Sequence, residues 1–187
     1  RDLRIVDESG NDVPDGISGE LVVRGDGLFL GYYNNPEANK NSFYGDWFRT
    51  GDMFVRTKNG YYKIVGRFKD MIRRSSENIS ATEVEHVVRG IGDVADVAAV
   101  PVPDDYRGEE VKIYVRLVNG KDQSDCPPEL IIDHCQKHLA KFKVPRYVAY
   151  VKTFPYTPSG RVAKHELIAG TVDLRTNSYD REDDLWR

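Results

Sequence analysis

Trp47-Phe48-Arg49-Thr50-Gly51-Asp52 opens a stretch that continues through Gly66-Arg67-Phe68-Lys69-Asp70 to Ser80-Ala81-Thr82-Glu83-Val84-Glu85. The first six residues bring together an aromatic pair, an arginine, a turn glycine and a carboxylate. Asp52 follows Gly51, which predicts a tight bend from which the carboxylate projects. A planar carboxylate so placed is suited to accept two hydrogen bonds at once, for example from the hydroxyls of a ribose. Further on, Gly66-Arg67 reads as the end of a strand. Lys69-Asp70 just beyond is a charged, unpatterned connector between two hydrophobic blocks, as a domain boundary would look.

Working outward toward the N-terminus, Leu3 to Asp7 alternates and meets a turn cluster at Glu8-Ser9-Gly10-Asn11. Gly19 to Gly25 is a second strand between glycines, and the two predict an antiparallel hairpin in a small barrel or sheet. The aromatic, glycine-rich run 26–43 reads as a packed loop, with a short helix opening at Pro36 behind an Asn35 cap. Met53–Arg56 and Tyr61–Gly66 read as strands joined by Thr57-Lys58-Asn59-Gly60, and Asn-Gly is a strong hairpin signal. Residues 1–69 are therefore expected to be β-rich.

After Asp70 the pattern changes. Ser80 with Glu83 fits a capping box, and Val84, Val87 and Val88 mark one face of a helix to about Arg89. Strands are predicted over 94–102, 111–118 and 146–151, and helices from Pro127-Pro128 to about Ala140 and over 164–168. Residues 70–170 thus read as α+β, with a sheet of two or three strands. Residues 171–187 are polar and aperiodic and read as a tail, mobile unless docked.

The 187 residues are 40% hydrophobic and carry a formal net charge of -3, so no dominant basic stripe points to nucleic acid, and no apolar run is long enough to cross a bilayer. Cys126 and Cys135 form neither a disulfide framework nor a CxxC pair, which fits a reducing, cytoplasmic setting. His134 and His138 have helical metal spacing but lack an obvious third ligand, so no metal is assigned to them. The chain opens at Arg1, in what reads as the middle of a strand, and a preceding part of a longer protein is expected.

WFRTGD followed by GRFKD, with GYYNNPE before it and PYTPSGR after it, resembles the adenylate-forming enzymes: acyl- and aryl-CoA synthetases, peptide-synthetase adenylation domains and luciferase. The resemblance covers about residues 1–168. It implies an α+β fold in which 1–69 is the end of a large N-terminal AMP-binding domain and 70–170 a mobile C-terminal domain. It also implies that Asp52 holds the ATP ribose, that Arg67 lies near ribose and phosphate, and that Asp70 is a hinge. The Ser75-Ser76-Glu77 loop would then line the thiol tunnel, and Arg161 would stand where the family has a lysine. ATP, Mg²⁺, CoA and a small carboxylic acid are the implied substrates, and FKVP at 142–145 favours CoA as the thiol. The phosphate loop and acid pocket belong to the N-terminal domain, so the fragment alone is expected to be inactive.

Two sites depart from the family pattern. A lysine is usual at Arg161, and arginine is a broad planar fork rather than a compact charge. Lys164, three residues on, is a possible substitute. A glycine pair is usual at Ser75-Ser76, where glycine permits close approach or positive φ. Apart from the family, Arg161 reads as a solvated turn residue, Arg67 as half of a surface ion pair and Asp52 as a turn cap. These departures keep open a degenerate, non-catalytic relative acting as an interaction module. A third alternative is an adenylation domain loading a carrier-protein pantetheine.

Overall fold

Short alternating segments punctuated by glycine build the first part of the chain. In the computed structural model, which describes residues 1–187, β1 (Asp2–Val6) pairs with β2 (Ser18–Arg24), and β2 pairs with β4 (Trp47–Arg56). β3 (Phe43–Tyr44) and β5 (Tyr62–Arg67) also pair with β4, completing a five-stranded sheet with every pairing antiparallel. The turn between β4 and β5 closes with Gly60 N–H donating to Thr57 O at 2.8 Å. Before β3, α1 (Pro36–Ser42) starts where the Asn35 side chain accepts from Ala38 N–H at 3.0 Å. The loop aromatics pack on one another, Phe29 lying 5.0 Å from Phe48 and 5.1 Å from Tyr32.

The tight bend expected at Gly51-Asp52 lies inside a strand, since all six residues of Trp47–Asp52 belong to β4. The distortion survives as a bulge within the strand. Opposite β2, Arg49 faces Val22 and Met53 faces Glu20, so three residues on β4 span one on β2. Gly51, at φ +70°, supplies the left-handed backbone inside it.

The chain divides into two compact units, Arg1–Lys69 and Asp70–Arg187, with a 3₁₀ turn at Phe68–Asp70 across the division. The second unit has a seven-stranded sheet rather than the two or three strands expected. β8 (Val94–Asp104) and β10 (Tyr147–Tyr150) flank β9 (Gly108–Leu117), β8 antiparallel and β10 parallel to it. β6 (Met71–Arg74) and β7 (Glu77–Ser80) form a hairpin joined to β9 at Arg74 and Gly108. β11 (Tyr179–Asp180) extends the sheet from β10, and β12 (Leu185–Trp186) pairs with β11.

The central strands are apolar on both faces because both faces are covered. Val97 and Ala99 of β8, with Val111, Ile113 and Val115 of β9, share one core with α2 (Ala81–Arg89) and α3 (Pro128–His138). Ala98, Val100, Tyr114 and Ala149 face the other side, where Phe154 and Leu167 and Ile168 of α4 (Lys164–Ile168) pack. α2 is phased by its cap, Ser80 Oγ accepting from Glu83 N–H at 3.3 Å. The Glu83 carboxylate receives Lys143 Nζ at 2.8 Å.

The segment read as a mobile polar tail is docked. Asp180 is fully buried and takes hydrogen bonds from Arg146 Nε at 3.1 Å and Arg187 Nε at 2.8 Å. Burial alone would raise its pKa; those two guanidiniums more than offset it, and the carboxyl lies below the ordinary range.

Candidate active site

The backbone around Asp52 is held by three side chains, Glu20 of β2 and Arg49 and Thr50 of β4. Glu20, 4% exposed, accepts Arg49 Nε at 2.9 Å and Nη2 at 2.7 Å on one oxygen, and Gly51 N–H at 3.1 Å on the other. Thr50 Oγ1 donates to Leu21 O at 2.7 Å and accepts from Asp52 N–H at 3.1 Å. This braces the backbone on both sides of the glycine, so the carboxylate leaves a fixed point. Across the strand pair, Arg67 Nε meets Asp52 Oδ1 at 2.8 Å, with the arginine side chain 57% exposed and the aspartate 27%. A half-covered carboxylate beside an exposed guanidinium suits a ligand bearing both hydroxyls and negative charge. Arg49 and Glu20 were not singled out from sequence; a lone glutamate inside the apolar run GELVVRG was the available signal.

In the second unit, Ser75 and Ser76 form the two-residue turn between β6 and β7, with Arg74 opposite Glu77. Ser75 has φ +57°, the left-handed conformation that glycine adopts at no steric cost. Its N–H donates to Arg107 O at 2.6 Å, so the turn is tied to the start of β9. Ser75, Ser76 and Glu77 are all exposed. Asp70 ends the 3₁₀ turn at the division between the units.

Arg161 is exposed, at the end of a turn that Thr157 closes. Thr157 N–H donates to Arg161 O at 2.7 Å, and Thr157 Oγ1 accepts from Arg161 N–H at 3.2 Å. Gly160, at φ +77°, provides the reversal. Lys164 is engaged elsewhere: its Nζ lies 2.7 Å from Glu85 Oε1.

A cleft of about 580 Å³ lies among Arg74, Arg107, Lys141, Phe142, Arg181 and Glu182. Arg74 and Arg107 both reach Glu110, which is 1% exposed, at 2.7 and 2.6 Å. Arg181 Nε is buried without a hydrogen-bond partner. Burial first, and then the nearness of Arg74 and Arg107, push its pKa below the usual arginine value, against Glu182 and Glu110. Only the FKVP run hinted at this cleft in the sequence; its arginines come from three separate strands or their flanks.

His134 and His138 stack at 4.4 Å, His134 Nε2 lying 3.1 Å from Val87 O and His138 Nδ1 2.8 Å from His134 O.

Residues 83–161 match the AMP-binding enzyme C-terminal domain. A crotonobetaine/carnitine–CoA ligase of Proteus sp. (strain LE138) is 38% identical over 168 residues, covering 88% of this chain and 32% of that enzyme. The solved structure of an anthranilate–CoA ligase in complex with anthranoyl-AMP aligns with a TM-score of 0.79 at 31% identity, over 89% of this chain and 32% of the other. An amide bond synthetase from Marinactinospora thermotolerans aligns with a TM-score of 0.75 at 34% identity, over 89% and 34%. This chain belongs to the adenylate-forming enzymes. It spans about a third of the length of the curated relatives it matches. Within the chain, the matched domain starts at Glu83 on α2 and ends at Arg161. The Asp52–Arg67 pair lies before that match, and the docked segment 171–187 after it.

Proposed function

We propose that this chain is the C-terminal portion of an ATP-dependent, AMP-forming carboxylic acid–CoA ligase. The observation that carries the reading is the Asp52 carboxylate, fixed on its bulge and met by Arg67 at 2.8 Å. In this reading Asp52 accepts hydrogen bonds from the two ribose hydroxyls, and Arg67 adds positive charge toward the phosphates. The acid's carboxylate attacks the α-phosphorus, the bond to the β-phosphate oxygen breaks, and pyrophosphate leaves. Arg161 contributes its guanidinium to the charge that builds on the α-phosphate; one such donor contributes about 3 kcal/mol elsewhere. Mg²⁺ enters with ATP as part of the substrate.

In the second step the CoA thiolate attacks the acyl carbonyl and AMP departs. Rotation about Asp70 brings the Ser75-Ser76-Glu77 turn to the thiol path in place of Arg161. The domain limits follow: 1–69 closes the AMP-binding domain and 70–170 moves, with 171–187 folded onto the moving part. The cleft of arginines favours free CoA, whose phosphates suit guanidinium forks, over a carrier-protein pantetheine. No helix of the chain is long and apolar enough to cross a membrane, and we place the ligase in the cytoplasm.

The test uses the complete ligase. Asp52→Ala should raise the KM for ATP and lower acyl-AMP formation by roughly 10²-fold. Lys141→Glu should raise the KM for CoA while leaving pyrophosphate release unchanged. Absence of acyl-AMP formation with any acid, not recovered by Arg161→Lys, would instead favour a non-catalytic relative.

A further inference from the structure

We propose that Glu85 and Lys164 are a positioning pair that, with Asp96 and Tyr156, pins both legs of the turn carrying Arg161. This rests on the adenylation reading above and adds residues that it does not use.

Glu85 lies 7% exposed on α2. A carboxylate withdrawn from water is tolerated only where charge and hydrogen bonds replace its hydration. Here Ala99 N–H of β8 donates to Oε1 at 2.9 Å, and Lys164 Nζ approaches the same oxygen at 2.7 Å. Lys164 opens α4, three residues beyond Arg161. On the incoming leg, Tyr156 Oη donates to Asp96 Oδ2 at 3.1 Å, and Tyr156 is bridged to Val162 across the turn. Arg89 links the two anchors, with Nη2 at 3.3 Å from Asp96 and 3.9 Å from Glu85.

Arg161 therefore sits between two pins, one on each leg, both seated on α2 and the start of β8. α4 has only five residues and none is fully buried, although Leu167 and Ile168 pack on the second core and Ala163 N–H donates to Pro155 O at 2.8 Å. The ion pair is the side-chain contact that fixes its first residue. The same contact commits the Lys164 ammonium to Glu85, which assigns it to positioning rather than to the phosphate.

Two measurements test this. In the 187-residue chain, Glu85→Gln and Lys164→Gln should speed amide exchange at Thr157, Gly160, Arg161 and Ala163 while β9 amides keep their protection. Lys164→Arg should restore the slow exchange. Unchanged exchange in the turn, or equal acceleration in β9, overturns the pinning. In the complete ligase the half-reactions are read separately. Glu85→Gln should lower ATP–pyrophosphate exchange by roughly 10- to 100-fold, the cost of misplacing a charge by about an ångström. Transfer from preformed acyl-AMP to CoA should stay near wild type, and Lys164→Arg should recover most of the exchange. If Arg161→Ala abolishes pyrophosphate exchange and Glu85→Gln spares it, the pair has no positioning role. If Arg161→Ala itself changes nothing, or the wild type does not exchange, the adenylation reading fails, and amide exchange alone still decides the pinning.

Discussion

Single residues carry the sharpest consequences. Ser75 occupies a left-handed conformation that costs a non-glycine residue about 1–2 kcal/mol. Glycine there gives back about 0.4–1 kcal/mol through the freedom of the unfolded chain. Ser75→Gly should therefore raise stability by up to about 1.5 kcal/mol in urea titration; a loss would mean that the serine side chain holds the turn. Lys112 is the second case. It is 1% exposed on the face it shares with Tyr114, and its Nζ donates to Leu174 O at 2.7 Å and Thr176 O at 3.0 Å. Burial pushes this ammonium down to about 8, with Asp173 pulling weakly the other way. Between about pH 8 and the ordinary lysine value, the unfolded chain holds a proton that the folded chain has released. The penalty for burying the charge is thus complete below that window and fades as pH rises through it. Relative to Lys112→Met, the wild type should gain stability from about pH 8 to about 10. Cys126, Cys135 and the buried tyrosines, all shifted up, act in the opposite direction but are common to both proteins. A flat or falling difference would contradict the assignment.

At the scale of elements, what could be read in advance was what is local. The α2 start was legible because Ser80, Glu83 and the valines lie within one helix, and Ser80→Ala should cost about 1 kcal/mol in thermal or urea unfolding. A cost near zero would show that β7 alone fixes the entry. The hairpin of β6 and β7 was not legible. Met71-Ile72-Arg73-Arg74 carries too few apolar residues to read as a strand, and Arg74 is accommodated by the distant Glu110 and Glu182. The site divides in the same way. Asp52, Gly51 and Arg67 stand in one stretch of sequence and could be paired on paper. Glu20 lies 29 residues from Arg49 in the chain, and Glu85 meets Lys164 only once the tertiary fold brings the first residue of α4 to α2. A buried carboxylate with a remote partner leaves no periodic trace.

At the scale of the whole molecule, the second unit is completed by its last residues. The run from Thr176 onward is polar and aperiodic, so no hydrophobic pattern marked it as a packed segment. Arg146, Arg187 and the strand pairing with β10 hold it in place. Deleting residues 177–187 should therefore destabilise this unit by more than about 3 kcal/mol, from the lost Tyr179 burial and from an Arg146 that loses its buried partner. Urea titration of the shortened chain reads this directly, and an unchanged midpoint would return the segment to the status of a tail. The compact units part between Lys69 and Asp70, where a charged connector separates two apolar blocks of sequence.

The reading of the chain depends most on where a nucleotide's sugar sits. Determining the structure of the complete ligase with AMP bound tests this most directly. The expected result is both ribose hydroxyls within hydrogen-bond distance of the Asp52 carboxylate, with Arg67 on the phosphate side. A nucleoside bound away from Asp52, leaving the Asp52–Arg67 pair as it stands here, would contradict it.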